Sequence, residues 1–580
     1  MAPDNRSFIA LKKFLKKSVD GMKTIRVAIV ADSASQFIHQ ALKGYGIAEG
    51  IHYDIFEADY NQIDLQVFDP GSELYESKPD YVIILRSTEK LLKKFYSLSG
   101  EERAAFGTHQ AAYAKNLYQQ INSQLKTRVL FNTFPELNDG VFGNFSTKTP
   151  SSFLYQLRKI NIGLMDLAQE SKNLFIVDLA ALVAQKGYAQ LTDAKMYISA
   201  DMVFSIDILP DLAEQLHKVI QAIAGSFKKC LILDLDNTTW GGIIGDDGME
   251  GIQIGDLGLG KAFTDLQFWA KELKKRGIII AVCSKNTESI AKEPFISHPD
   301  MKLRLDDIAV FVANWETKVD NIRHIQSILN IGFDSMVFLD DNPFEREMVK
   351  QNIPDITVPD LPEDPAEYMP YLRTLNLFET ASFTEEDEQR TKQYQEEANR
   401  NTLQKSFANE EEFLASLGME CEVKPFDSFT IPRIAQLSQR SNQFNLRTVR
   451  YTEEDIRRIA QSPDHLTLSF SLKDIYGDYG LIAFVILEKK EDNNTLFIDS
   501  WIMSCRVLKR GMEIFTLQNI LQLAQDAGFT QIIGEYIPTK KNELVKEHYS
   551  KLGFNSTGEN VYTLITDQYP NDKKVYIKRK

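Results

Sequence analysis

Residues 228–242 read KKCLILDLDNTTWGG, an apolar run that ends abruptly in Asp234 and Asp236. Four apolar residues between paired lysines and a cluster of Asp, Asn, Thr and Gly make a short strand buried on both faces. In open α/β sheets ligands bind outside the carboxyl ends of the strands, so the two carboxylates fall where chemistry takes place. Working outward, the same placement recurs. The run at 278–283 (IIIAVC) leads into Ser284, Lys285 and Asn286, and the run at 335–339 (SMVFL) leads into Asp340, Asp341 and Asn342. A fourth run, 309–312 (AVFV), precedes Lys318 in WETKVDNI. Helical stretches separate these runs, which predicts a parallel α/β domain over 227–375.

Three acidic groups gathered at one sheet edge repel each other unless a cation sits among them. An all-oxygen donor set suits Mg²⁺ better than zinc. A calcium loop of the EF-hand type needs Gly at its sixth place and Glu at its twelfth; counted from Asp234, those places hold Thr239 and Gly245.

In order and spacing, residues 234–238, Ser284, Lys318 and Asp340–Asp341 resemble the four motifs of the haloacid dehalogenase (HAD) superfamily of aspartyl-phosphate phosphotransferases. DLDNTTWGGIIGDDGMEGI, CSKN, NWETK and FLDDNPFERE are similar to the FkbH-like subfamily. The resemblance implies that Asp234 is the nucleophile and Asp236 the general acid and base. It further implies that Thr238, Ser284, Asn286 and Lys318 hold the phosphoryl group, and that Asp234, Asp236 (through its carbonyl), Asp340 and Asp341 hold Mg²⁺. Only 50 residues separate Asp234 from Ser284 and 34 separate Ser284 from Lys318, too few for a large cap domain. The cleft is then open unless a neighbouring domain covers it, the C-terminal one being a candidate, and a bulky or carrier-linked phosphate ester is the expected substrate.

On the N-terminal side, β-branched runs at 24–31, 81–85, 128–131 and 174–177 alternate with helical patterns, closing with an amphipathic helix at 211–225. This predicts a second parallel α/β domain over 1–226. VADSAS (30–35) resembles the start of the SGNH-hydrolase fold and makes Ser33 the counterpart of its nucleophile. The late Asp-x-x-His of that fold is missing, since Glu214 stands three residues before His217. A hydroxyl without a base is not activated, so this domain is expected to be non-catalytic.

On the C-terminal side, 383–413 carries nine acidic and four basic side chains and reads as a solvated helical connector within 376–415. From 416 to 580 strands at 467–471, 480–487, 495–501 and 531–535 mix with helices at 511–527 and 541–552, an α+β unit. TLFIDSWIMS (495–504), CRVLKRGMEIF (505–515) and HYSKLGF (548–554) resemble the GNAT acyltransferase fold. That resemblance makes Tyr549 a candidate general acid and implies a coenzyme A loop of the form Q/R-x-x-G-x-G/A. Counting from Arg506, Lys509 replaces the first Gly and only Gly511 remains.

FkbH-like proteins are also associated with moving a phosphoglycerate-derived glyceryl unit onto an acyl carrier protein. On that reading Cys283 and Cys505 are candidate thioester carriers. A biosynthetic scaffold with vestigial motifs is the remaining alternative.

Composition bounds these readings. At 580 residues the chain exceeds a single hydrophobic core. Its net charge of −15 argues against nucleic acid or an anionic membrane surface as partner. Four widely spaced cysteines with no CxxC pair suggest neither zinc nor disulfides and fit a reducing cytoplasm. The longest apolar runs, 277–283 and 481–487, are far shorter than the ~20 residues that cross a bilayer.

Overall fold

The computed structural model describes residues 7–580 apart from 384–390, 392–393, 395–409, 476, 491–493, 505–506, 509, 540 and 570–573. It divides into two compact units, Met1–Ala222 and Ile223–Lys580. Most of the acidic connector, together with Cys505, Arg506 and Lys509, lies outside the described residues.

The first unit holds five parallel strands: β1 (Lys23–Ala31), β2 (Ile51–Glu57), β3 (Tyr81–Leu85), β4 (Arg128–Asn132) and β5 (Leu174–Val177), in the order β2-β1-β3-β4-β5. The interior strand β3 is buried at every position, which is why it reads as an unbroken apolar run. Strand β2 lies at an edge, only Tyr53 of its seven residues is buried, and its sequence IHYDIFE carries no such run.

In this unit Ser33 is 3% exposed. His217 does not serve it: its Nδ1 lies 3.0 Å from the Tyr53 hydroxyl, and burial holds its pKa down at about 4. His39 pairs with Glu57 at 2.9 Å, and the same carboxylate accepts the Ser35 hydroxyl at 2.6 Å. The carboxylate, not the imidazole, is thus the group bonded to that serine, an order unlike a nucleophile–base pair.

The second unit carries two sheets. Strands β6 (Cys230–Leu233), β7 (Ile279–Ser284), β8 (Val310–Ala313) and β9 (Met336–Leu339) form a parallel sheet in the order β8-β7-β6-β9. The other sheet is mixed and eight-stranded. It comprises β10 (Met419–Lys424), β11 (His465–Asp474), β12 (Gly477–Lys489), β13 (Thr495–Met503), β14 (Gln531–Glu535), β15 (Asn555–Gly558), β16 (Val561–Ile565) and β17 (Ile577–Arg579). Their order is β15-β16-β14-β13-β12-β11-β10-β17, antiparallel except for the pairs β13/β14 and β10/β17. This is the GNAT-like α+β unit; the parallel sheets before it complete the α/β architecture. Among the described residues no helix is long and apolar enough to cross a membrane. Cys230, Cys283 and Cys421 are free, buried thiols.

The GNAT-like unit packs on the edge of the β6–β9 sheet where the strands begin. Lys229, just before β6, donates its Nζ to the Arg440 carbonyl at 2.6 Å, and Asp334, two residues before β9, pairs with Lys541. A cavity of about 440 Å³ between the two is lined by Lys229, Ile279 and Ser335 on one side and Arg433, Phe444 and Met503 on the other. Asp234, Ser284 and Asp340 stand at the opposite edge, where the strands end. The expectation that the C-terminal domain caps the cleft is therefore corrected: it covers the other end of the sheet.

Two outcomes follow, one from each unit. Gly225 has φ +81, and a Cβ there would fall 1.9 Å from the Gln439 carbonyl oxygen. Gly225→Ala should therefore destabilise the second unit by more than about 2 kcal/mol, read as a lowered midpoint in urea unfolding. His217 holds a proton less readily folded than unfolded. Its contribution is full above pH 6.5 and is lost as pH falls toward 4, a change of roughly 3 kcal/mol. The pH dependence of stability between 6.5 and 4 should flatten in His217→Gln; an unchanged slope would refute the assignment.

Candidate active site

Asp234 directly follows β6, and its backbone N–H donates to the Leu339 carbonyl at 2.9 Å, which continues the β6/β9 pairing by one residue. The Thr239 hydroxyl donates to the Asp234 carbonyl at 2.6 Å, and Gln267 Nε2 donates to the Thr239 carbonyl at 2.8 Å. Asn237 adopts φ +53, a left-handed conformation Asn tolerates better than most residues, so the chain turns sharply here. The loop after β9 is fixed by Arg346, whose Nη1 donates to the carbonyls of Asp340 at 2.8 Å and Asp341 at 2.6 Å.

These turns bring Asp234, Asp340 and Asp341 together, with one carboxylate oxygen of each lying within 4.8 Å of the others. Lys318, the first residue of the helix Lys318–Leu329, reaches into the same place. Its Nζ lies 2.7 Å from Asp234 Oδ2 and 2.5 Å from Asp340 Oδ2, and the residue is 3% exposed. Burial alone would favour a neutral lysine. The two carboxylates outweigh it and hold its pKa above the ordinary lysine value. Burial in turn pushes Asp340 upward, with the Asp234 charge adding to it, and Asp341 is raised for the same reasons.

The carboxylate of Asp236 faces elsewhere. Its Oδ1 accepts from Trp240 Nε1 at 2.9 Å and from the Ile244 N–H at 3.1 Å, while Oδ2 accepts from Asn286 Nδ2 at 3.2 Å. Burial raises its pKa despite these donors. Of the oxygen ligands named for Asp236, its side chain is thus not one of the clustered three.

Ser284 ends β7 and is 1% exposed. Asn286, expected at the phosphoryl group, holds Asp236. Thr238, expected there too, exchanges hydrogen bonds with Asp341: the Asp341 N–H donates to its Oγ1 at 2.9 Å, and that hydroxyl lies 3.3 Å from Asp341 Oδ1. Trp240, Thr239 and Arg346 were not foreseen as site residues. Trp240 and Thr239 stand in the quoted motif itself, and Arg346 six residues beyond Asp340.

The candidate acyl carriers fare differently. Cys283 is fully buried within β7, and burial lifts its thiol far above the ordinary range. It is an inert core residue and not an accessible nucleophile. Tyr549 is 1% exposed and packs against β14, where a Cβ on Gly534 would fall 2.3 Å from its ring; burial raises its pKa as well. Cys505 is outside the described residues.

Three carboxylate oxygens within reach of one point form a hard donor set that fits Mg²⁺, and the Lys318 ammonium offsets the charge that remains. Comparison with known proteins agrees with this geometry. Residues 26–221 match the family described as FkbH, N-terminal domain. The crystal structure of the N-terminal part of the protein BF1531 from Bacteroides fragilis, containing a phosphatase domain complexed with Mg, is 50% identical. The alignment covers 65% of this chain and all of that one, with a TM-score of 0.63. The ribosomal-protein-S18-alanine N-acetyltransferase of Escherichia coli aligns with 27% of this chain and 99% of its own at 15% identity and a TM-score of 0.20. A comparison with curated proteins finds no match. By its motifs, their geometry and the half-identical relative contained whole within it, the chain belongs to the FkbH-like subfamily of the haloacid dehalogenase superfamily.

Proposed function

We propose that the chain is a Mg²⁺-dependent phosphatase that works through an aspartyl-phosphate on Asp234 and accepts a bulky or carrier-linked phosphate monoester. The observation that carries this reading is the Lys318 ammonium wedged between Asp234 and Asp340, beside the three-carboxylate cluster. Asp234, Asp340 and Asp341, with the Asp236 carbonyl, would hold the metal. Bound there, Mg²⁺ supplies charge neutralisation for the phosphoryl oxygens.

Asp234 attacks phosphorus through a carboxylate oxygen, forming the O–P bond of the acyl phosphate as the ester P–O bond breaks. The leaving oxygen takes its proton from Asp236. Trp240 and Ile244 donate to Asp236 Oδ1 and only Asn286, at 3.2 Å, to Oδ2, which leaves Oδ2 the freer oxygen for that proton. Its raised pKa favours the protonated form this step needs. In the second step water attacks phosphorus and gives its proton to Asp236, the bond to Asp234 breaks, and inorganic phosphate leaves. An ammonium group has three donors; Lys318 uses two on Asp234 and Asp340 and keeps one for a phosphoryl oxygen. Ser284 supplies a hydroxyl for another.

The substrate's size is argued from the rim. Ile243 is 44% exposed, Trp315 75% and Phe344 66%; the first two stand on loops after β6 and β8, and Phe344 in the first turn of the helix Pro343–Asn352 after β9. Three large apolar side chains left open at a catalytic edge suit a partner that covers them. An acyl carrier protein presenting its prosthetic arm is one such substrate.

Two outcomes test this reading. Asp234→Asn should abolish Mg²⁺-dependent release of phosphate, whereas Asp236→Asn should slow it by about 10²–10⁴-fold and leave a phosphoenzyme detectable by intact-protein mass spectrometry. Retained turnover in Asp234→Asn would remove the nucleophile assignment. Trp315→Ser combined with Phe344→Ser should raise KM for a carrier-linked phosphate by about tenfold and leave p-nitrophenyl phosphate unaffected. Equal effects on both would show that the rim does not bind the carrier.

A further inference from the structure

The first unit contains a crevice of its own, about 190 Å³ in volume, at the carboxyl ends of β1 and β3. In the order β2-β1-β3-β4-β5 the chain steps outward from β1 to β2 and then returns past β1 to β3. Connections on the two sides of that junction leave to opposite faces of the sheet. The gap so formed is where open α/β sheets admit ligands. Asp32 follows the last residue of β1 and Arg86 the last residue of β3. Lys90 and Lys94 enter from the helix Thr88–Tyr96, and Tyr113 from the helix Gly100–Gln124.

Arg86 is 9% exposed, yet lines the crevice. Its guanidinium lies over the Tyr113 ring, 4.8 Å from the centroid, and Nη2 donates to Gln110 Oε1 at 2.6 Å. The neighbouring acids are engaged elsewhere. Both Asp32 oxygens lie 3.0 Å from the Ser87 N–H, and Asp64 Oδ1 accepts the Tyr113 hydroxyl at 2.6 Å. Asp201 takes Lys90 at 2.6 Å. Among the described residues no carboxylate comes within ion-pair distance of Arg86 or of Lys94, whose Nζ stands 5.6 Å from the centre of the Tyr113 ring. Asp32 and Asp64 offset the buried guanidinium charge only from a distance, without a direct ion pair, so an anion entering the crevice adds the contact it lacks.

We propose that this crevice binds a small carboxylate, held by the fork of Arg86 and the ammonium of Lys94. A planar two-oxygen group matches the planar guanidinium, which rigidly aims two parallel N–H bonds. Asp32 and Asp64 at the walls repel a phosphate dianion more than a carboxylate monoanion. Ser33, next to Asp32, takes no chemical part; the site is one of binding.

Isothermal titration of the intact chain with sodium lactate, sodium acetate and inorganic phosphate, in a buffer free of carboxylates, tests the assignment. Saturable heat with lactate or acetate, weakened about tenfold or more in Lys94→Gln, is the expected result. Lys94 is exposed, so this variant should keep the parent melting temperature. Arg86→Lys should also weaken carboxylate binding, because it keeps the charge and loses the fork. No saturable heat with either carboxylate, or binding equal in the parent and Lys94→Gln, would overturn the proposal. Phosphate binding that alone depends on Lys94 would overturn the choice of carboxylate. Phosphate release by the second unit is a separate measurement, so the failure of either reading leaves the other standing.

Discussion

A lysine ammonium between two buried carboxylates is the constraint on which the catalytic edge depends. Asp234 and Asp340 end adjacent strands, so the parallel pairing of β6 with β9 forces their side chains together whatever the cost of placing two negative charges in one poorly hydrated space. Lys318 relieves that repulsion from a third element. Removing it would leave a buried like-charge pair, and one carboxylate would then hold a proton. The hydrogen bonds around it have the same purpose at one remove. Arg346 fixes the backbone of the β9 loop, Thr239 fixes that of the β6 loop, and Thr238 ties the two loops to each other.

The strands of both parallel sheets were readable because full burial on two faces leaves an unbroken apolar run, and the expected limits at 230–233 and 81–85 coincide with β6 and β3. The strands that were missed share the opposite circumstance. β2, β15 and β17 lie at or near sheet edges, and β15 is exposed at all four positions, so burial imposes no pattern on its sequence NSTG. Strand β10 alternates only partly, in MECEVK.

The site was legible to the extent that chemistry sits immediately after a strand. Asp234, Ser284 and Asp340 could be placed by counting from an apolar run. What could not be read was which way a polar side chain turns once it is there. Asn286 and Thr238 have the right position for a phosphoryl ligand, but each is drawn to a nearer carboxylate, Asp236 and Asp341 respectively. Nor does sequence separate a reactive cysteine from a space-filling one: Cys283 adjoins Ser284 in the chain, and both are buried, but Cys283 belongs to the apolar cluster of Ile232 and Phe338.

The attachment of the GNAT-like unit to the edge where β6, β7 and β9 begin bears on how such a protein can change over time. A domain anchored there leans on strand starts, which must keep their sequence to maintain the sheet. The loops at the far ends are released from any duty to the neighbour. They can lengthen, shorten or exchange side chains, and so acquire new specificities, while the joint between the domains stays as it is.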